Sequence, residues 1–225
     1  MNNYLPTDYQ SFIHTSRYAR WLEGDGRREN WGETVQRYIE NVVSSLPEVD
    51  TETVHKISQS IFSLEVMPSM RAMMTAGPAA ERDNTCMYNC SYLPVDDPKS
   101  FDEAMFILLC GTGVGFSVER DYITKLPEVP KLFYSDTTVV VKDSKEGWAR
   151  ALRKLIGHLY MGEIPTWDVS DVRPAGSRLK TFGGRASGPA PLVDLFSFAV
   201  TIFKNAQGRK LSSIECHDLM CKVGE

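Results

Sequence analysis

The sequence predicts an α/β chain with a helical N-terminal region. Three observations carry this: two amphipathic segments of helical period lie within the first sixty or so residues, helices and short strands alternate from Ser91 onward, and no internal repeat points to a solenoid.

The first helix is expected over Glu33 to Leu46, where Val35, Tyr38, Ile39, Val42, Val43 and Leu46 recur at helical spacing and Asn30 with Glu33 forms a capping box. A second follows, with Thr51 near its start and Val54, Ile57, Ile61 and Leu64 on one face. These make an N-terminal helical region over 1–66, and the remainder, 67–225, forms the second region. From Met67 to Tyr88, Pro, Gly and short polar residues break every regular period before a short strand at Ser91 to Val95. Phe101 to Leu109 reads as a helix that leads through Gly111, Gly113 and Gly115 into a strand at Phe116 to Glu119. Thr137 to Val141 is the strongest strand signal. Asp143 and Glu146 then cap a helix bearing Trp148, Leu152, Leu155, Ile156 and Leu159. The loop RPAGSRLKTFGGRASGPAP leads to a helix with Leu192, Leu195, Phe196, Ala199 and Phe203 on one face, and a last helix begins near Ser213.

Composition excludes several classes. The chain has 225 residues, 42% hydrophobic and 24% charged, which suits a globular core and not a disordered chain. A net charge of −4 argues against a surface built for nucleic-acid backbones, and the basic run Arg150, Arg153, Lys154 reads as a solvated helix face. No apolar run reaches the ~20 residues of a membrane span, and the start lacks a signal-peptide pattern, so a cytoplasmic protein is expected.

Two glycine-rich stretches invite cofactor readings. GTGVGF follows a helix and lacks the third glycine of a dinucleotide fingerprint, and FGGRASGP lacks the Gly-Lys-Ser/Thr ending of a phosphate loop. Both fit a close approach of backbone to a ligand or another chain. The five cysteines are odd in number and uneven in spacing, so a disulfide scaffold is not expected. A zinc reading groups Cys86 and Cys90 with Cys216, His217 and Cys221, but the spacings are loose for zinc knuckles. No metal is expected.

The ordered series YNCSYLPV, GTGVGFSVER, DSKEGW, SDVRPAGSRLKTFGGRASGPAPL and SSIECHDLMCKVGE resembles the large, catalytic subunit of ribonucleotide reductases. The likeness is nearest to the monomeric class II, adenosylcobalamin-dependent enzymes, through SRYARWLEGDGRRENWGETVQRY and MPSMR, and runs from about Phe12 to Glu225. A class I large-subunit fragment is the alternative within the family. Outside it stand a non-catalytic regulatory module and a zinc-binding module.

The resemblance implies the N-terminal half of such an enzyme: the helical cap followed by the first half of a ten-stranded α/β barrel. It implies conversion of ribonucleotides to 2′-deoxyribonucleotides by thiyl-radical chemistry, in which a thiol pair supplies two electrons and becomes a disulfide. Cys90 matches the N-terminal member of that pair. Cys86 is four residues away and within reach in a bent loop, whereas in the family the partner lies downstream; Cys86, Cys110, Cys216 and Cys221 are read as structural. Ser69 and Asn89 fall where the family places substrate contacts, and Gly113 with Gly115 would let backbone approach the substrate. Gly183, Gly184, Arg185 and Gly188 resemble the loop between the allosteric specificity site and the base.

The implied partners are a C-terminal half on a separate or intein-joined chain, a nucleoside di- or triphosphate substrate and a thioredoxin-like reductant. Adenosylcobalamin would be bound mainly by the other half, and the chain alone is expected to be inactive. Pro94 to Phe101 and Asp121 to Lys142 are too short for the insertion that builds the effector site of monomeric class II enzymes, so weak specificity regulation, or a site completed by another chain, is expected.

Overall fold

The computed structural model describes residues 4–44, 46–179 and 184–225. The chain divides into two compact units, Met1–Asn89 and Cys90–Glu225, and the expected division after residue 66 falls inside the first.

In the first unit, α1 (Asp8–Ile13) runs into a π-helical turn, His14–Tyr18, before a short antiparallel pair of β1 (Trp21–Leu22) and β2 (Arg27–Arg28). The expected capping box starts α2 (Trp31–Tyr38): Asn30 Oδ1 accepts from the Glu33 amide at 3.0 Å, and Glu33 Oε2 accepts from the Asn30 amide at 2.7 Å. The helix continues as a π-helical segment, Ile39–Val43, and stops short of Leu46, which is 53% exposed. Pro47 explains the early stop, because a residue before proline avoids helical backbone.

The next helix, α3 (Thr51–Phe62), is capped by Asp50. It ends before Leu64, whose φ of +65° lies in the left-handed region. The stretch expected to be irregular holds α4 (Met70–Thr75), α5 (Pro78–Arg82) and a 3₁₀ turn, Asn84–Met87. Helices this short show no readable apolar period. Trp31, Val35, Ile39, Val43, Ile61 and Met73 form the core of this unit.

Beside that core lies a buried ion pair. Arg37 Nε donates to Glu29 Oε1 at 2.8 Å, with side chains 13% and 4% exposed. Arg37 also donates to the carbonyls of Met73 and Ala76, tying α2 to α4. Burial pushes the Glu29 carboxyl upward, but hydrogen bonds from Arg37, the Arg20 amide and Thr34 outweigh it and hold the group below its ordinary value.

The second unit contains β3 (Cys90–Pro94), α6 (Ser100–Leu109), β4 (Gly113–Ser117), α7 (Arg120–Ile123), β5 (Phe133–Val140), α8 (Lys145–Tyr160), β6 (Glu163–Asp168), α9 (Ala190–Asn205) and α10 (Ser213–Gly224). α6 connects the parallel pair β3–β4, and α8 connects the parallel pair β5–β6. The alternation of helix and strand thus takes the form of βαβ units. Among the described residues the strands pair two by two, so a mixed α/β fold is present and a closed barrel is not.

Three local expectations need correction. β4 begins at Gly113, so both glycines lie within the strand. Ser144, not Asp143, caps α8 by accepting from the Gly147 amide at 3.0 Å, while Asp143 accepts from Arg173 at 2.6 Å. β6 has no counterpart in the sequence reading, because Pro165 within EIPTWD argues against a strand. Leu152, Leu155, Ile156 and Leu159 of α8 are buried with Leu192, Leu195, Phe196, Ala199 and Phe203 of α9, as the periodicity predicts. Each large side chain so buried contributes about 1.5–3 kcal/mol. Arg153, read as solvated, donates to the buried Asp102 at 2.8 Å.

Candidate active site

Side chains alternate along a strand, so every second residue of β3 and β4 shares a face. Cys90 pairs in register with Gly113, and Tyr92 with Gly115. These four residues are exposed, while Leu93 is buried and Val114 and Phe116 pack against the core from the opposite face. The pair therefore presents one thiol beside a strip of bare backbone. Ser91 Oγ donates to the Gly113 carbonyl at 3.1 Å and fixes the strand end at the thiol.

The glycine at 115 is not enforced by crowding. A Cβ there would meet the Ser91 carbonyl oxygen at 3.6 Å and a Tyr92 ring carbon at 4.0 Å, which are ordinary contacts. What glycine provides is open space on the exposed face. Tyr92 closes one side of that face and hydrogen-bonds Tyr122 of α7, whose phenol is raised first by that bond. Sequence reasoning passed over Tyr92; its place two residues after Cys90 in a predicted strand was the available signal.

Ser69 is exposed and stands at the N-cap position of α4 without a side-chain capping bond. Asn89 is exposed in the bend that precedes Cys90. Each is described within the first unit alone. Gly183 lies outside the described residues. Gly184 and Gly188 both adopt left-handed backbone, with φ of +89° and +76°. Around them Arg178 bridges Arg185 in antiparallel fashion, and the Arg185 guanidinium donates to the Gly176 carbonyl at 2.9 Å. Arg185 is thus a brace at the base of this loop. Gly188 is enforced: a Cβ would lie 2.8 Å from the Ala175 amide nitrogen.

No disulfide joins the five cysteines: Cys86, Cys110 and Cys216 are buried, and Cys90 and Cys221 are exposed. Cys110 Sγ accepts from Lys145 at 3.1 Å. Among the described residues no three metal-ligating side chains converge. No described helix is long and apolar enough to cross a membrane.

Two family models match the chain: "Ribonucleotide reductase alpha domain" over residues 2–78, and "B12-dependent ribonucleotide reductase, insertion domain" over residues 118–202. The second match corrects the expectation that Asp121 to Lys142 leaves no room for the insertion, since recognisable insertion-domain sequence spans that stretch. Among curated relatives, the adenosylcobalamin-dependent ribonucleoside-triphosphate reductase of Lactobacillus helveticus is 26% identical over 92% of this chain and 38% of the relative. That of Lacticaseibacillus paracasei is 28% identical over 92% of this chain and 37% of the relative. The chain therefore spans less than two-fifths of the length of these relatives. The first alignment runs over 283 positions, more than the 225 residues here, so the relative carries segments this chain lacks. A crystal structure of a B12-dependent (class II) ribonucleotide reductase shares the fold, with a TM-score of 0.83 over 95% of this chain and 39% of that one, at 24% identity.

Proposed function

The chain belongs to the class II, B12-dependent ribonucleotide reductases, matching their N-terminal region, and from that premise we propose that it contributes the first of the two reducing thiols, Cys90, to a ribonucleoside-triphosphate reductase. The observation that carries this reading is the β3–β4 register, which sets an exposed thiol against glycine backbone. In the proposed reaction Cys90 and a second thiol each give up one hydrogen atom equivalent. The ribose C2′–O bond breaks, the oxygen leaves as water, and the two sulfurs join as a disulfide. A thioredoxin-like dithiol restores the pair by exchange.

Gly113 and Gly115 leave room for the ribose, and Asn89 and Ser69 supply polar contacts to it and its phosphates. The loop braced by Arg185, with Gly183, Gly184 and Gly188, responds to the bound effector. β3–β4 is a parallel pair of the family's ten-stranded barrel, whereas β5–β6 lies within the stretch that matches the insertion domain. The partner thiol and the radical-bearing cysteine come from sequence beyond these 225 residues, a C-terminal half on another chain or segment.

Adenosylcobalamin supplies the radical when bound to the family's enzymes. Two described grooves, of about 420 Å³ between α6 and α8 and about 390 Å³ along α3, are bordered by charged side chains and neither includes Cys90. The cofactor is assigned mainly to the remainder of the enzyme.

Replacing Cys90 by Ser in the assembly with the remainder of the reductase tests the proposal. Turnover with a dithiol reductant is expected to fall to background. Full thiol-dependent turnover by Cys90→Ser would instead favour a regulatory module.

A further inference from the structure

A titratable side chain anchors the N-terminal segment. α1 buries none of its residues, and in the π-helical turn that follows it only His14 is buried. The imidazole stands edge-on to the Trp31 ring, with centroids 5.6 Å apart, and its Nε2 lies 2.9 Å from Thr34 Oγ1. An apolar anchor would hold at any pH; a histidine makes docking depend on its protonation state.

The direction of the hydrogen bonds fixes the tautomer. Glu29, held below its ordinary value, is a carboxylate and only accepts, and Thr34 Oγ1 donates its one proton to Glu29 Oε2 at 3.0 Å. Thr34 therefore accepts from His14, and the ring proton sits on Nε2. Nδ1 is left as a bare lone pair, buried and without a hydrogen-bond partner. A proton added there would create a buried charge whose N–H meets no acceptor. Burial holds the imidazole below its ordinary value, with Glu29 opposing that effect and Arg37 of α2 adding to it. Of the other charged groups nearby, Arg20 donates its amide to Glu29 at 3.0 Å, α4, packed on the turn, carries Arg71, and Asp8 and Arg17 of the segment itself are exposed.

We propose that His14 is an acid-sensitive latch: its protonation at Nδ1 releases the segment Asp8–Tyr18 from the first unit while the helices behind it stay folded. The released segment takes up a proton at the ordinary histidine value, and the docked segment only at a lower one. Docking is therefore complete above the ordinary value and is lost as pH falls through the interval between the two. Glu29 titrates lower still, below the ordinary carboxylate range, and stays ionised over that interval. The latch is independent of the chemistry assigned to Cys90.

The test follows amide hydrogen exchange over Asp8–Tyr18 in the full chain at pH 7.0 and 5.5, corrected for the intrinsic rates. Opening is expected to rise up to about eightfold between them, the ratio for an ordinary histidine value of about 6.5 and a docked value well below 5.5. Protection of α8 and α9 stays unchanged. His14→Gln, whose side-chain amide donates to Thr34 and does not titrate, abolishes the difference. Imidazole nitrogen resonances of the wild type give a second readout, which decides the matter if the Gln variant does not dock: His14 is expected neutral at pH 6, with its proton on Nε2. Equal exchange at the two pH values, a difference of the same size in a docked His14→Gln, or a charged His14 ring in the docked segment at pH 6 overturns the proposal.

Discussion

Cys90 and Gly113 face each other across the parallel β3–β4 pair, joined through Ser91 Oγ, which donates to the Gly113 carbonyl at 3.1 Å. The glycine leaves no side chain opposite the thiol, and Gly115 repeats the omission one strand period on. The sulfur therefore faces open backbone on an otherwise well-packed strand pair.

Gly115→Ala separates folding from approach to the thiol. Because the added methyl meets only ordinary contacts, stability should change by less than about 0.5 kcal/mol in thermal unfolding. Turnover in the complete reductase should fall by roughly ten- to a hundredfold, as a displaced substrate loses its alignment. Unimpaired turnover in this variant would remove the open-strip reading.

The Glu29–Arg37 pair should govern acid stability of the first unit. Arg37→Ala leaves a carboxylate buried and is expected to cost about 3–5 kcal/mol. Glu29 titrates below its ordinary value in the folded chain, so its contribution is complete above the ordinary carboxylate range and is lost as pH falls through the folded value. In urea unfolding, the advantage of the wild type over Glu29→Gln should be largest near neutral pH and shrink toward pH 3. An advantage that grows on acidification would reverse the assignment.

Gly188→Ala combines a left-handed φ of +76° with a Cβ 2.8 Å from the Ala175 amide nitrogen. About 1–3 kcal/mol of local strain is expected, seen as a lowered midpoint in thermal unfolding. Gly184→Ala, with a φ of +89° and nothing within 4 Å, should be milder. Equal sensitivity of the two variants would show that the close approach to Ala175 is unimportant.

Much of the helical structure was legible because its signals are local. The Asn30–Glu33 capping box and the apolar faces of α8 and α9 lie within a few residues of the bonds they make. The strands were less legible: β4 was placed late, because glycines read as loop, and β6 was missed, because Pro165 reads as a breaker. Both strands exist because a parallel partner lies more than twenty residues upstream. For the same reason the pairing of Cys90 with Gly113 could not be read from either motif alone.

By itself, the sequence determined the helix starts, the α/β alternation and, through an ordered set of motifs, the family and the interest of Cys90. Tertiary structure alone decided which face Cys90 shares with Gly113 and Gly115, which thiols of the terminal Cys-His-Cys segment are buried, and that Glu29 and Arg37 meet out of water. Capping and periodicity act within one or two helical turns. Strand register and burial depend on contacts between distant segments, which no local pattern records.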